Sequence, residues 1–136
     1  MGMEVVSLGD RAAATVLGAL RANRVVCLVS DRDLTGDGVA VEFFGERTTL
    51  PGGPVLLALR AGAPIVPAAV YFRRGRHHHG VVRPPLDTTR QDTLREDVAR
   101  ITQQLAHEFE QLVVAAPEQW HLMQPNWPSD RDGPRR

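Results

Sequence analysis

Val25 to Ser30 (VVCLVS) reads as a continuous apolar run of strand length. An apolar run without alternation has no solvent face, and such a strand belongs inside a parallel sheet with helices packed on both sides. This requirement points to layered α/β architecture, and the flanking periodicities agree. Ala13, Val16, Leu17 and Leu20 follow the i, i+3, i+4, i+7 spacing of a helix, with Asp10 as its cap and Asn23 as its stop. Glu4 to Ser7 reads as a strand that begins abruptly after Met1. Thr35-Gly36-Asp37-Gly38 is turn chemistry, and Val39 to Phe44 returns as a short strand. Pro51-Gly52-Gly53-Pro54 opens a helix, with Pro54 at its favoured first position and Gly62 just past its end. Val55 to Leu59 is apolar all round, which predicts a buried helix. Ile65 to Phe72 is another strand, Arg73-Arg74-Gly75-Arg76 a turn, and Gly80 to Arg83 a hairpin partner. Gln91 to Ala115 carries a stripe of Leu94, Val98, Ile101, Leu105, Phe109, Leu112 and Val113, with Thr93 and Glu96 at capping-box spacing. Its other face, Arg95, Asp97, Arg100, Gln104 and Glu108, reads as solvated. The order βαββαββα predicts an α/β fold: a mixed, mostly parallel sheet flanked by helices.

At 136 residues the chain is one domain with a real core. Its formal charge is zero, so no bulk field draws nucleic acid or anionic lipid. All 16 basic residues are Arg. That is either the trace of a GC-rich genome or a preference for bidentate contact with phosphate and carboxylate. The single cysteine, Cys27, excludes an internal disulfide, fits a reducing compartment and is expected as a buried strand thiol. The N-terminus carries no leader pattern. The longest apolar run, Ala63 to Phe72, is broken by prolines and too short to span a membrane.

The chemistry-bearing residues crowd into Val29 to Pro54. Asp31-Arg32-Asp33 follows the apolar run at the end of a strand, where open α/β sheets place ligands. Arg32 is either held by its two acids to grip a phosphate or locked with them in an ion-pair cluster that closes a turn. Glu42 lies on the strand face opposite Val41 and Phe43. It is either an exposed edge residue or a partly buried carboxylate that orients a histidine or grips a substrate hydroxyl. Phe44 shares its side, Gly45 permits close backbone approach, and Arg47 is a second anion contact. Gly52-Gly53-Pro54 at a helix start offers free amides to an anion, or serves only to enter the helix. His77-His78-His79 on an Arg-rich turn is a poor zinc ligand set. Trp120, His121, Met123 and Trp127 are either an interfacial lipid contact or a segment that closes the core, the second reading being preferred.

With these residues laid out, the chain resembles the bacterial lipid A biosynthesis (lauroyl/myristoyl) acyltransferase family, and within it the phosphatidylinositol mannoside acyltransferases of actinobacteria. The likeness runs through VCLVSDRDLTGDGVAVEFFGERTTLPGGPVLLALRAGAPIVPAAVYF, RPPL and PEQWHLMQPNW. It implies an incomplete glycerolipid acyltransferase-like αβ fold. Asp31, Arg32 and Asp33 look like the block whose Arg contacts substrate phosphate. Glu42 to Arg47 looks like the block that serves acceptor binding and catalysis, and Gly62 to Pro67 like the one that shapes the pocket. The resemblance therefore implies Glu42 as catalytic. It implies Asp31, Arg32, Asp33, Phe44, Gly45, Arg47, Gly53 and Pro54 as substrate-binding, with no metal and no cofactor beyond acyl-CoA as donor.

One block of the family is absent: a catalytic histidine followed five residues on by an acid. No histidine precedes His77, and none of the five has an acid five places later in a comparable setting. Family enzymes are also roughly twice this length. The expectation is that residues 1–128 are the C-terminal portion of one acyltransferase domain, with 129–136 a disordered tail. Its full-length relative would be peripheral to the cytoplasmic face of the plasma membrane, and the fragment alone would be cytoplasmic and inactive. The rival expectations are a non-catalytic module that binds a phosphorylated ligand and a structural fragment that depends on a partner.

Overall fold

The computed structural model describes residues 2–7, 9, 11–75 and 77–131, the Arg131 side chain excepted. Helix α1 (Ala12–Arg21) forms where the spacing predicts it, and Asn23 ends it with a left-handed φ of 58°. The expected cap, Asp10, and the turn residue Arg76 lie outside the described residues. Strands β1 (Val39–Phe43) and β2 (Glu46–Leu50) pair antiparallel from Val39↔Leu50 to Phe43↔Glu46. Helix α2 (Gly53–Ala61) follows, and Gly62 closes it in the left-handed conformation. Strands β3 (Ala68–Phe72) and β4 (His78–Val82) form a second antiparallel hairpin. The long helix α3 (Leu94–Val114) begins with its expected capping box: Thr93 accepts from the Glu96 amide while the Glu96 carboxylate meets the Thr93 hydroxyl. A single 3-10 turn (Pro117–Gln119) and one helical turn, α4 (Pro128–Arg131), complete the described chain.

The parallel sheet is the expectation that fails. Among the described residues there are two separate two-stranded antiparallel sheets and no parallel pair. Residues 25–30 and 4–7 belong to no strand. A strand exists only where its amides and carbonyls find a neighbouring ladder, and no described strand pairs with either segment. Val25 and Val29 are consequently 92% and 91% exposed. Cys27, expected as a buried thiol, is exposed for the same reason.

Helix α3 is the spine of the core. It packs on β1 and α2, and its apolar stripe serves two clusters. Val41, Phe43, Leu50 and Ala106 form one, closed over by Phe109, Trp120 and Trp127. Val55, Ile101 and Leu105 form the other, with Leu59, Ile65 and Val98 packed against them. The C-terminal segment thus closes the core, as preferred from sequence. Trp127 donates its indole N–H to the Phe43 carbonyl at 2.9 Å.

Asp97 departs from the solvated face to which the periodicity assigns it, being 1% exposed. Arg90 and Arg100 pair with it at 2.5 and 3.0 Å, and the Gln91 amide donates at 3.1 Å. Burial pushes its carboxyl up, but these donors outweigh burial and hold it well below the usual carboxylate range. The residue ties the start of α3 to the loop that leads into it.

Candidate functional site

The site grows from the β1–β2 hairpin. Val41 and Phe43 face the core, so Ala40 and Glu42 face outward. Cross-strand partners share a face, which adds Thr49 (opposite Ala40) and Arg47 (opposite Glu42) to the outer side. The backbone of Glu42 turns away from β2: its N–H donates to Gln103 Oε1 and its carbonyl accepts from Gln103 Nε2, both at 2.8 Å. Glu42 and Arg47 are therefore a non-hydrogen-bonded pair, the kind in which Cα atoms approach to about 4.5 Å and side chains are closest. Both side chains are exposed, and neither enters an ion pair among the described residues. An acid and a base stand side by side on an open strand face, available to a ligand.

Phe44 and Gly45 are the two-residue loop of this hairpin, with φ of 54° and 76°. Positive φ at both positions is the type I′ pattern that suits the twist of the flanking strands. Glycine adopts it freely, whereas a bulky residue is strained there. Phe44 is held by its amide bond to Glu110 Oε1 at 2.7 Å and by ring contacts with Phe43 and Trp120 at 4.8 and 6.2 Å between centroids.

The Asp31-Arg32-Asp33 triplet is anchored at both acids, but not to its arginine. Asp31 accepts the indole N–H of Trp120 at 2.7 Å. Asp33 organises the loop to Gly38, accepting from the amides of Thr35, Gly36 and Gly38 and from the Thr49 hydroxyl at 2.7 Å. Partial burial pushes its carboxyl up, but the Thr49 bond and those three amides outweigh that and lower it from 3.8 to about 2. The loop approaches β2 so closely at Gly38 that a Cβ there would lie 2.5 Å from the Leu50 carbonyl oxygen. Arg32, half-buried between its anchored neighbours, has no ion pair among the described residues. The ion-pair cluster weighed from sequence is not formed, and among the described residues the guanidinium meets no carboxylate.

Through Thr49, Asp33 sits over the same outer face as Glu42 and Arg47. Gly53 and Pro54 start α2 directly after β2, at the open end of the hairpin. A Cβ added to Gly53 would meet nothing within 4 Å, so there is open space on its side-chain side. Glu42 lies three residues along β1 from that end, roughly 10 Å at strand rise. The sequence-selected residues thus form a ribbon: Arg32, Asp33, Gly53 and Pro54 at one end, Glu42 and Arg47 in the middle, Phe44 and Gly45 at the turn. Asp31 lies apart, against Trp120.

Sequence reasoning missed the ties that position this ribbon, chiefly Gln103, Glu110 and Thr49. Thr49 carries only the weak signal of a β-branched residue after a two-residue Phe-Gly loop. The same ties engage one histidine. His107 lies 3.4 Å by its Nδ1 from Glu110, with its Nε2 3.2 Å from the Gln103 amide. Both ring nitrogens face neighbours on α3 rather than the outer face of the hairpin.

Over residues 2–129 the chain matches the family described as bacterial lipid A biosynthesis acyltransferase. It is 46% identical over 139 residues to the phosphatidylinositol mannoside acyltransferase of Mycobacterium tuberculosis, covering 100% of this chain and 42% of that protein. To the protein of the same description from Mycolicibacterium smegmatis it is 41% identical, covering 100% of this chain and 44% of that protein. The chain spans less than half the length of these relatives. With a match that extends across the fold and takes in the whole outer-face ribbon, this chain belongs to the bacterial lipid A biosynthesis acyltransferase family.

Proposed function

We propose that this polypeptide carries part of the active site of an enzyme that moves a fatty acyl group from acyl-CoA to a hydroxyl of a phosphatidylinositol mannoside-like glycolipid. In this reading it is a portion of such an enzyme, without the catalytic histidine block. The observation that carries it is the exposed Glu42–Arg47 pair, which has no ionic partner among the described residues, with Arg32 likewise unpaired among them. In the reaction a base removes the proton of the acceptor hydroxyl. Its oxygen attacks the thioester carbonyl, and the tetrahedral oxyanion collapses to an ester while the CoA thiolate departs and is protonated. Glu42 orients the base or the acceptor hydroxyl; Arg32 and Arg47 meet the anionic parts of donor and acceptor. The base comes from elsewhere, because the sequence lacks the block of a histidine followed five residues on by an acid. No cofactor is needed. The partners are acyl-CoA and the glycolipid, met at the cytoplasmic face of the plasma membrane by peripheral contact; no described helix is long and apolar enough to cross a membrane.

The test is acyl transfer from acyl-CoA to a mannosylated phosphatidylinositol by a full-length relative in which the glutamate at the position of Glu42 is changed to Gln. Turnover slowed by about a hundredfold supports the assignment; unchanged turnover removes it. This chain alone is expected to release no CoA above background. A second reading, a non-catalytic phospho-ligand module, draws on the unmatched Arg32. Saturable binding of an inositol phosphate by the isolated chain, abolished by Arg32→Ala while the full-length Glu42→Gln variant keeps its turnover, would favour it.

A further inference from the structure

Gln103, His107 and Glu110 are spaced i, i+4 and i+7 along α3, so they share one stripe of the helix. Their side chains form one hydrogen-bonded chain between two backbone positions of the β1–β2 hairpin. Gln103 grips both backbone groups of Glu42 at one end, and Glu110 Oε1 holds the Phe44 amide at 2.7 Å at the other. His107 joins the two grips. Its Nε2 lies 3.2 Å from Gln103 Nε2, and its Nδ1 lies 3.4 Å from Glu110 Oε2.

The protons in this chain have one consistent arrangement. A backbone N–H needs an acceptor and a backbone carbonyl a donor, so Glu42 fixes which end of the Gln103 amide is oxygen. The amide nitrogen faces His107, and an NH2 group only donates. His107 Nε2 therefore accepts, and the ring proton sits on Nδ1, toward the Glu110 carboxylate. A second proton, on Nε2, would set N–H against N–H at 3.2 Å. Turning the amide over would answer His107 but place oxygen on the Glu42 carbonyl and N–H on its amide, giving up two bonds to make one. Full seating of Glu42 and protonation of His107 exclude each other. Among the described residues Glu110 is the one charged group in ion-pair reach of the ring. Of the elements packed on α3, β1 carries Glu42 as its one ionisable residue, α2 Arg60 and the 3-10 turn Glu118; none pairs with His107. A protonated ring thus keeps Glu110 and loses Gln103.

We propose that His107 is a positioning residue that acts on Glu42 through Gln103: its neutral ring locks the amide onto the β1 backbone, and its protonated ring releases it. The hairpin edge that carries Glu42 is latched when the ring is neutral and freed as pH falls through the ring's titration. The latch rests on geometry alone, and its bearing on turnover rests on the role proposed above for Glu42.

The experiment is nitrogen-15 NMR of the 136-residue chain between pH 8 and pH 5, following the His107 ring and the Glu42 amide. The expected result is a neutral ring protonated at Nδ1 and a Glu42 amide shift that moves in step with the ring's titration. Exchange protection of that amide is expected to fall about fivefold, the equivalent of one ordinary hydrogen bond. His107→Gln places an acceptor oxygen near the position of Nε2 and takes up no proton; it is expected to keep the Glu42 amide latched at every pH. His107→Arg, a permanent donor, is expected to hold it released at every pH. Residue 107 is exposed, and both replacements are good helix formers, so both variants are expected to fold. A neutral ring protonated at Nε2, a Glu42 amide that ignores the ring, an unchanged titration in His107→Gln or a latched amide in His107→Arg would each overturn the assignment. None of these readouts needs turnover. A latch that behaves as expected, beside unchanged turnover in the full-length Glu42→Gln relative, counts against the proposed reaction and not against the latch.

Discussion

At the scale of single residues, the acids behave differently from their appearance in the sequence. Asp33 stands beside an arginine, yet its oxygens are committed to a loop and to Thr49. The trace of this in the sequence is the Asp-x-Thr-Gly spacing of an Asx turn, which the charged triplet overshadows. Asp97 falls on the polar side of a helical wheel, and the arrival of Arg90 from the preceding loop, beside Arg100 on the helix itself, makes it a buried ion site. Periodicity along one element carries no trace of such an arrival. The Asp33 carboxyl is lowered to about 2 from 3.8. Its contribution to stability is therefore complete above the unfolded value and is lost as pH falls from about 4 toward 2. Asp33→Asn is expected to cost on the order of 1–2 kcal/mol at neutral pH, allowing for solvent screening, and to flatten that part of the acid limb in urea melts between pH 2 and 5. Gly45→Ala, at φ 76°, is expected to lower the denaturation free energy by about 1 kcal/mol.

At the scale of elements, helices were the legible part. α1, α2 and α3 announce themselves by spacing, caps and Gly or Pro punctuation, all local signals. β1 and the β3–β4 hairpin were legible too. β2 was not, because Glu46-Arg47-Thr48-Thr49 shows too little apolar alternation to declare a strand, and its pairing is decided by the Phe44-Gly45 loop. Residues 25–30 failed in the opposite sense: composition declared a strand, but pairing partners decide whether one exists. Exchange measurements on the isolated chain are expected to find the Val25 to Val29 amides open and that of Phe43 protected; slow exchange at 25–29 would contradict the unpaired segment. Phe43, fully buried between Trp127 and α3, is expected to cost about 3–5 kcal/mol on replacement by Ala, read as a shift in the urea midpoint. Gln103→Ala removes both bonds to Glu42 and is expected to cost about 1 kcal/mol with little change in secondary structure by circular dichroism.

At the scale of the molecule, a layered α/β architecture was read correctly as a mixture of helices and strands and wrongly as one sheet. The family likeness was legible because it is carried by an ordered block of residues, whereas sheet topology depends on which strands are present to pair. One feature of the whole arrangement governs how the molecule meets copies of itself. Toward β1, helix α3 offers Gln103 and Glu110, which engage the outward backbone groups of Glu42 and the amide of Phe44. A primary amide has the same donor and acceptor as a peptide group, so α3 serves as a surrogate third strand assembled from side chains. Where β1 is finished in this way, at Glu42 and Phe44, its edge offers no free template to another molecule, and strand addition along that stretch is discouraged.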